Sequence, residues 1–157
     1  MIVNNTSFAN IEKDLIECLK SIESVGIEVN KDQTKILDWG CPHKTESLPK
    51  GKMAIYIFIY NDICLKVGKV GPNSNPRYNS QHYNPKSSKS NLAKSILADD
   101  YFKTFDITEK NVGEWIKKNT RRINILLDEN LGYFILNYIE AYFQLTYKPK
   151  YEGFKRK

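Results

Sequence analysis

IYIFIYNDICLKVGKVGPNSNPR, residues 55–77, is the stretch whose reading decides the fold. Its front half, Ile55 to Tyr60, alternates aliphatic with aromatic side chains, the period-two pattern of a half-buried strand. Asn61-Asp62 is turn chemistry and Ile63 to Lys69 is a second extended run, so the stretch forms a β-hairpin. With Tyr60, Asn61 and Asp62 as its loop, Ile59 pairs with Ile63, Ile57 with Leu65 and Ile55 with Val67. All six aliphatic side chains then share one face. The other face carries Tyr56, Phe58, Cys64 and Lys66, with Tyr56 directly opposite Lys66. A two-residue loop would set Lys66 beside Ile57 in the core, and burying an unpaired ammonium is costly. The expected result is a phenol facing an ammonium across two strands.

Downstream, Gly68 to Pro76 is rich in Gly, Pro and Asn, and its backbone N–H groups could meet a phosphate, although this is no Walker motif. A short helix from Pro76 to about Gln81, with Pro at its first position, puts Arg77 and Gln81 on one face and His82 close by. Tyr83 to Ser90 reads as a flexible loop, followed by a short helix over Leu92–Leu97 capped by Ser90 or Asn91. Tyr101 to Phe105 is expected to be extended. Thr108 caps a helix over Glu109–Asn119 with Val112, Trp115 and Ile116 inward, and Arg122–Asp128 is the third strand. Asn130 caps the last helix, Leu131–Thr146, which is apolar on nearly every side and so is predicted to be largely buried. Its strongly polar members, Asn137, Glu140 and Gln144, form one stripe centred on Glu140. A carboxylate there needs a partner. That partner is either Lys66 or Arg77 in a salt bridge, or a Mg²⁺ ion completed by water and phosphate oxygens.

Upstream, residues 6–25 read as a helix capped by Thr6 or Ser7, with Phe8, Ile11, Leu15, Cys18, Leu19 and Ile22 as the stripe that packs on the sheet. Lys35 to Trp39 reads as a short strand. Cys41-Pro42-His43 lacks the further ligands that zinc needs and reads as a loop. The 157 residues amount to one globular unit, with residues 1–50 an N-terminal helix and linker packing on a core of residues 51–157. No apolar run nears the ~20 residues that span a bilayer. The N-terminus lacks signal-peptide regions, and three cysteines without a CxxC pattern suit free thiols in a reducing cytoplasm. The formal net charge is +6, unevenly spread. Residues 1–50 carry six Lys against eight Asp/Glu, whereas residues 51–157 carry 18 basic against 10 acidic side chains. No acid lies between Asp62 and Asp99, where Lys66, Lys69, Arg77, Lys86, Lys89 and Lys94 fall. Such a segment suits a phosphate backbone.

Ala54-Ile55-Tyr56, Lys66-Val67-Gly68 ten residues after the tyrosine, Arg77, and Glu140 on a late helix together resemble the GIY-YIG nuclease superfamily, over roughly Met53 to Gly153. The similarity is greatest to its restriction-endonuclease-like branch, in which lysine replaces the tyrosine of the second triplet. Ala54 replaces the first glycine, and Glu152 stands where many members have asparagine. The resemblance implies an α+β fold, a small and mainly antiparallel three-stranded sheet flanked by helices, and a metal-dependent endonuclease acting on DNA, with RNA as the alternative. It implies that Glu140 holds Mg²⁺ (or Mn²⁺), that Arg77 contacts the scissile phosphate, and that Tyr56 orients water and takes its proton. Lys66 opposite Tyr56 would lower the phenol's pKa from about 10. Lys69 occupies the place of a family histidine, and His82 is a second candidate for protonating the leaving group. Lys69, Arg77, Lys86, Lys89 and Lys94 are the expected nucleic-acid contacts, and cutting both strands with one site per chain favours a homodimer. The competing expectation is a catalytically inactive nucleic-acid-binding module.

Overall fold

A computed structural model describes residues 10–152; the expected caps Thr6 and Ser7, Phe8 and the tail Lys155–Lys157 lie outside the described residues. Four strands, β1 (Thr34–Gly40), β2 (Lys52–Tyr60), β3 (Ile63–Val70) and β4 (Arg121–Asp128), form one antiparallel sheet in the order β1-β4-β2-β3. The sheet has four strands rather than the expected three, because Thr34–Gly40 pairs with β4. Among the described residues five helices flank it: α1 (Ile11–Glu23), α2 (Asn75–Asn79), α3 (Leu92–Ala98), α4 (Val112–Asn119) and α5 (Gly132–Tyr147). No helix among the described residues is long and apolar enough to cross a membrane.

Period-two alternation sorts the core into two layers. Ile55, Ile57 and Ile59 of β2 with Ile123, Ile125 and Leu127 of β4 face α1 and α5, where Leu15, Cys18, Ile22, Ile139 and Phe143 cover them. Ala54, Tyr56, Phe58 and Tyr60 face the opposite way, under Tyr78, Tyr83, Leu92, Ile96, Phe102, Val112 and Ile116.

The hairpin register differs from the expected one. Tyr60 pairs with Ile63, so the loop is two residues, Asn61 and Asp62, both with positive φ (43° and 61°) as a type I′ turn requires. A bulge then follows: Ile59 pairs with Cys64 but Phe58 with Lys66, leaving Leu65 as the extra residue. The bulge restores Lys66 to the Tyr56 face despite the short loop. It also exchanges the neighbours' places, with Cys64 joining the Ile57 layer and Leu65 the Tyr56 layer. Tyr56 therefore lies opposite Gly68, and Lys66 opposite Phe58.

Four other expectations change. Tyr101–Phe105 is not extended: a 3₁₀ turn over Asp100–Phe102 folds Phe102 into the aromatic layer. The helix after Thr108 begins at Val112, whose N–H reaches Thr108 O, and α5 begins at Gly132 after a 3₁₀ turn over Glu129–Leu131. Nor is α5 largely buried. It packs one side on the sheet and meets α1 through Tyr138–Ser21 and Tyr147–Asp14 hydrogen bonds, leaving Phe134 91% and Leu145 67% exposed.

Strand β3 is an edge strand, and the chain closes that edge itself. Lys150 N–H donates to Cys64 O and Tyr151 N–H to Leu65 O. Gln144 Nε2 donates to Val67 O, and Arg77 Nε donates to Lys69 O.

Candidate active site

The candidate side chains gather along β3 near Gly68. Tyr56 lies over that glycine so closely that a Cβ there would fall 2.3 Å from Tyr56 Oη and 2.5 Å from Cζ. Glycine is thus demanded by contact, with no unusual backbone angle involved. The Tyr56 ring is fully buried, 4.1 Å from the His82 ring and 6.0 Å from that of Phe58. Arg77 approaches the Tyr56 hydroxyl without completing a well-formed hydrogen bond. Burial pushes the phenol up to about 12; Arg77 pulls it down, while Glu152 and Glu140 add to the rise. The expected lowering by Lys66 is overturned: the two residues are not cross-strand partners, and loss of solvent outweighs the nearby cation.

Two lysines of β3 are paired with two late carboxylates. Lys66, 4% exposed, donates to Asn91 Oδ1 and lies 3.2 Å from Glu152 Oε1. Burial holds its pKa below the usual ammonium range, with Glu152 drawing it back up. Lys69 Nζ donates to Glu140 Oε2 at 2.6 Å. The partner of Glu140 is therefore Lys69, where the sequence pointed to Lys66 or Arg77. Glu140 is on the α5 stripe with Gln144, and both reach β3.

Arg77 on α2 is held at two points, Nε to Lys69 O at 3.0 Å and Nη1 to Lys89 O at 2.8 Å. His82 is fully buried, with Nδ1 2.8 Å from Ser90 Oγ and Nε2 lacking a hydrogen-bond partner among the described residues. Burial and the charges of Arg122, Lys66 and Arg77 hold its pKa well below the usual value. An imidazole kept neutral this way has no acidic proton to give at neutral pH and is also a weak base, which argues against His82 as donor to a leaving group. Lys86, Lys89 and Lys94 are exposed on the loop before α3 and on α3 itself.

A carboxylate is the right donor for a hard cation. Glu140 supplies one, partly exposed, with Oε2 engaged by a lysine that is itself 37% exposed. Among the described residues no group of three or more His, Cys, Asp or Glu is placed to hold a metal. A cation here would bind through Glu140, with water and substrate oxygens as its remaining ligands.

Arg122 escaped notice in the sequence. It is fully buried, its Nε, Nη1 and Nη2 donating to Asn124 Oδ1, Tyr83 Oη and Tyr78 O. The guanidinium carbon lies 4.3 Å from the Trp39 ring centroid and 5.1 Å from that of Phe58. The Tyr83 hydroxyl lies 2.9 Å from His43 Nε2, and His43 Nδ1 lies 2.8 Å from Thr120 O. The strand alternation carried the signal: Ile123, Ile125 and Leu127 on one face oblige Arg122 and Asn124 onto the other.

No family model matches the chain, and no curated protein or solved structure matches it.

Proposed function

We propose that the chain is a metal-dependent endonuclease that hydrolyses phosphodiester bonds of DNA, with a site of the GIY-YIG kind built on the edge strand. The observation that carries this reading is the convergence on β3 of Tyr56, seated over Gly68, of Arg77, bonded to Lys69 O, and of the Lys66–Glu152 and Lys69–Glu140 pairs, drawn from separate segments of the chain. Further support comes from the acid-free segment beside it, whose Lys86, Lys89 and Lys94 are exposed to a passing phosphate backbone.

In this reading Arg77 turns Nη1 to a phosphate oxygen while Nε stays on Lys69 O. Lys66 supplies a second positive donor to the same group. Tyr56, neutral at physiological pH, orients the attacking water through its hydroxyl. His82, held well below its usual pKa, is too weak a base to take a proton from that hydroxyl; it packs against the Tyr56 ring, and the water's proton goes to solvent. Lys69, partly exposed beside Glu140, would donate to the leaving oxygen. Glu140 would hold a Mg²⁺ ion, which would supply Lewis-acid withdrawal of charge from the phosphate.

The burial of Tyr56 and His82 and the pairing of both carboxylates favour a second reading, a module that holds DNA without cutting it. One assay separates the two: plasmid DNA with Mg²⁺, with EDTA, and with a Glu140→Ala protein. Nicking that needs metal and is lost in the variant supports the enzyme. Intact plasmid with retained binding supports the module.

A further inference from the structure

We propose that residues 88–91 form a strap whose oxygens occupy the place of the substrate phosphate, and that bound nucleic acid displaces it. Three consecutive residues each hold one candidate side chain. Lys89 O accepts from Arg77 Nη1, Ser90 Oγ is 2.8 Å from His82 Nδ1, and Asn91 Oδ1 accepts from Lys66 Nζ. Arg77 and Lys66 are the donors that a phosphate oxygen would use, and an N–H that serves the strap is not free to serve a ligand. In the closed arrangement the strap therefore stands in for substrate.

The strap is anchored unequally. Its C-terminal end runs into α3, where Leu92, Ala93 and Ile96 are at most 1% exposed. On the other side Ser88 and Lys89 are exposed, and the bonds are short-range: Ser87 N–H to Asn84 O and Lys89 N–H to Ser87 Oγ. One end is fixed and the other is latched by the site's own side chains. Release would free Lys66 and one arm of Arg77 while Arg77 Nε stays anchored, and it would uncover the face that encloses Tyr56 and His82. The strap lies wholly within the acid-free segment, so once lifted it carries Lys89 towards a phosphate backbone without bringing a repelling carboxylate.

The identity of the displacing ligand rests on the nuclease reading; the latch itself rests on the three contacts. The test uses the full chain and a fluorescein-labelled short DNA duplex at low salt in EDTA, so that binding is read without cleavage. When only the open form binds, the apparent Kd is the intrinsic one divided by the open fraction. Asn91→Ala weakens the latch and is expected to tighten binding about fivefold, the worth of one hydrogen bond. Asn91→Asp strengthens the hold on Lys66 and is expected to weaken binding by about as much. Ser88→Asp, with the same added charge outside the contacts, is expected to have a smaller effect. Hydrogen exchange of the strap amides is expected to quicken when DNA is added. Weaker or unchanged binding by Asn91→Ala, or strap amides that slow on DNA binding, would overturn the strap and leave the nuclease reading standing. Failure of the wild-type protein and every variant to bind the duplex would overturn both.

Discussion

Gly68→Ala probes the contact on which the site is built. A methyl group at this position would meet three atoms of one ring at 2.3, 2.5 and 2.9 Å. The ring has little room to retreat: Tyr56 is fully buried with His82 and Phe58 against it, and the backbone at Gly68 is paired with β2. Overpacking a core typically costs ~1–3 kcal/mol, and three simultaneous overlaps put this case at the upper end. For a domain of this size that is a fall in Tm of roughly 6–12 °C. The assay is a thermal or urea melt repeated in a Tyr56→Leu background, where all three overlapped atoms are absent. There Gly68→Ala should cost less than about 1 kcal/mol, because alanine at an ordinary strand φ is not itself penalised. An equal loss in both backgrounds, or no loss in the first, would show that the ring does not rest on Gly68.

Tyr56→Phe removes a hydroxyl that is buried without a well-formed hydrogen bond, so stability should change by less than about 1 kcal/mol while plasmid nicking is lost. Glu140→Gln breaks a partly exposed ion pair and should also cost less than about 1 kcal/mol, read by urea denaturation, while abolishing metal-dependent nicking. Arg122→Leu strips donors from Tyr78 O, Tyr83 and Asn124 in the interior and should destabilise by about 3 kcal/mol or more in the same denaturation experiment. His43 is lowered to about 4 by burial, so the unfolded chain takes up a proton near pH 6.5 that the folded chain refuses. Stability is then fully present above about pH 6.5 and falls by about 3 kcal/mol as pH drops to about 4. His82, shifted the same way, adds to the loss. Urea midpoints should hold steady from about pH 7 to about pH 8 and decline steeply below about pH 6.5, with a shallower decline in His43→Gln.

The hairpin and the helix faces were legible because each is written as a period. Alternation over Ile55–Tyr60 fixes two faces of β2, and the stripe from Ile11 to Ile22 fixes the buried side of α1. The register was not legible. Loop length set against the cost of burying Lys66 points to a three-residue loop, but a bulge at Leu65 avoids that cost with a two-residue loop, and a bulge leaves no mark on residue type. Lys35–Trp39 announced an extended segment, but its pairing with β4 lies more than eighty residues away in sequence and has no local signal. The apolar surface of α5 misled in the other direction, since hydrophobicity reports what could be buried and only a neighbour decides what is. Of the candidate site, Tyr56, Lys66, Arg77 and Glu140 could be named through their resemblance to a nuclease motif. The parts played by Ser90 and Asn91 could not, because polar loops have no periodicity to read.

The carbonyls of Cys64, Leu65, Val67 and Lys69 are capped by groups from Lys150, Tyr151, Gln144 and Arg77. The hairpin can close as soon as its own residues are synthesised, and Arg77 follows Lys69 closely, yet the other three caps of its outer rim come some seventy to ninety positions later. Local pairing and completion are therefore separated in time as the chain emerges. A nascent chain would carry a bare, template-like rim until the stretch after α5 arrives and docks. That late segment acts as a closing seam, and an edit confined to residues 144–151 would expose the sheet to self-association before it altered any chemistry.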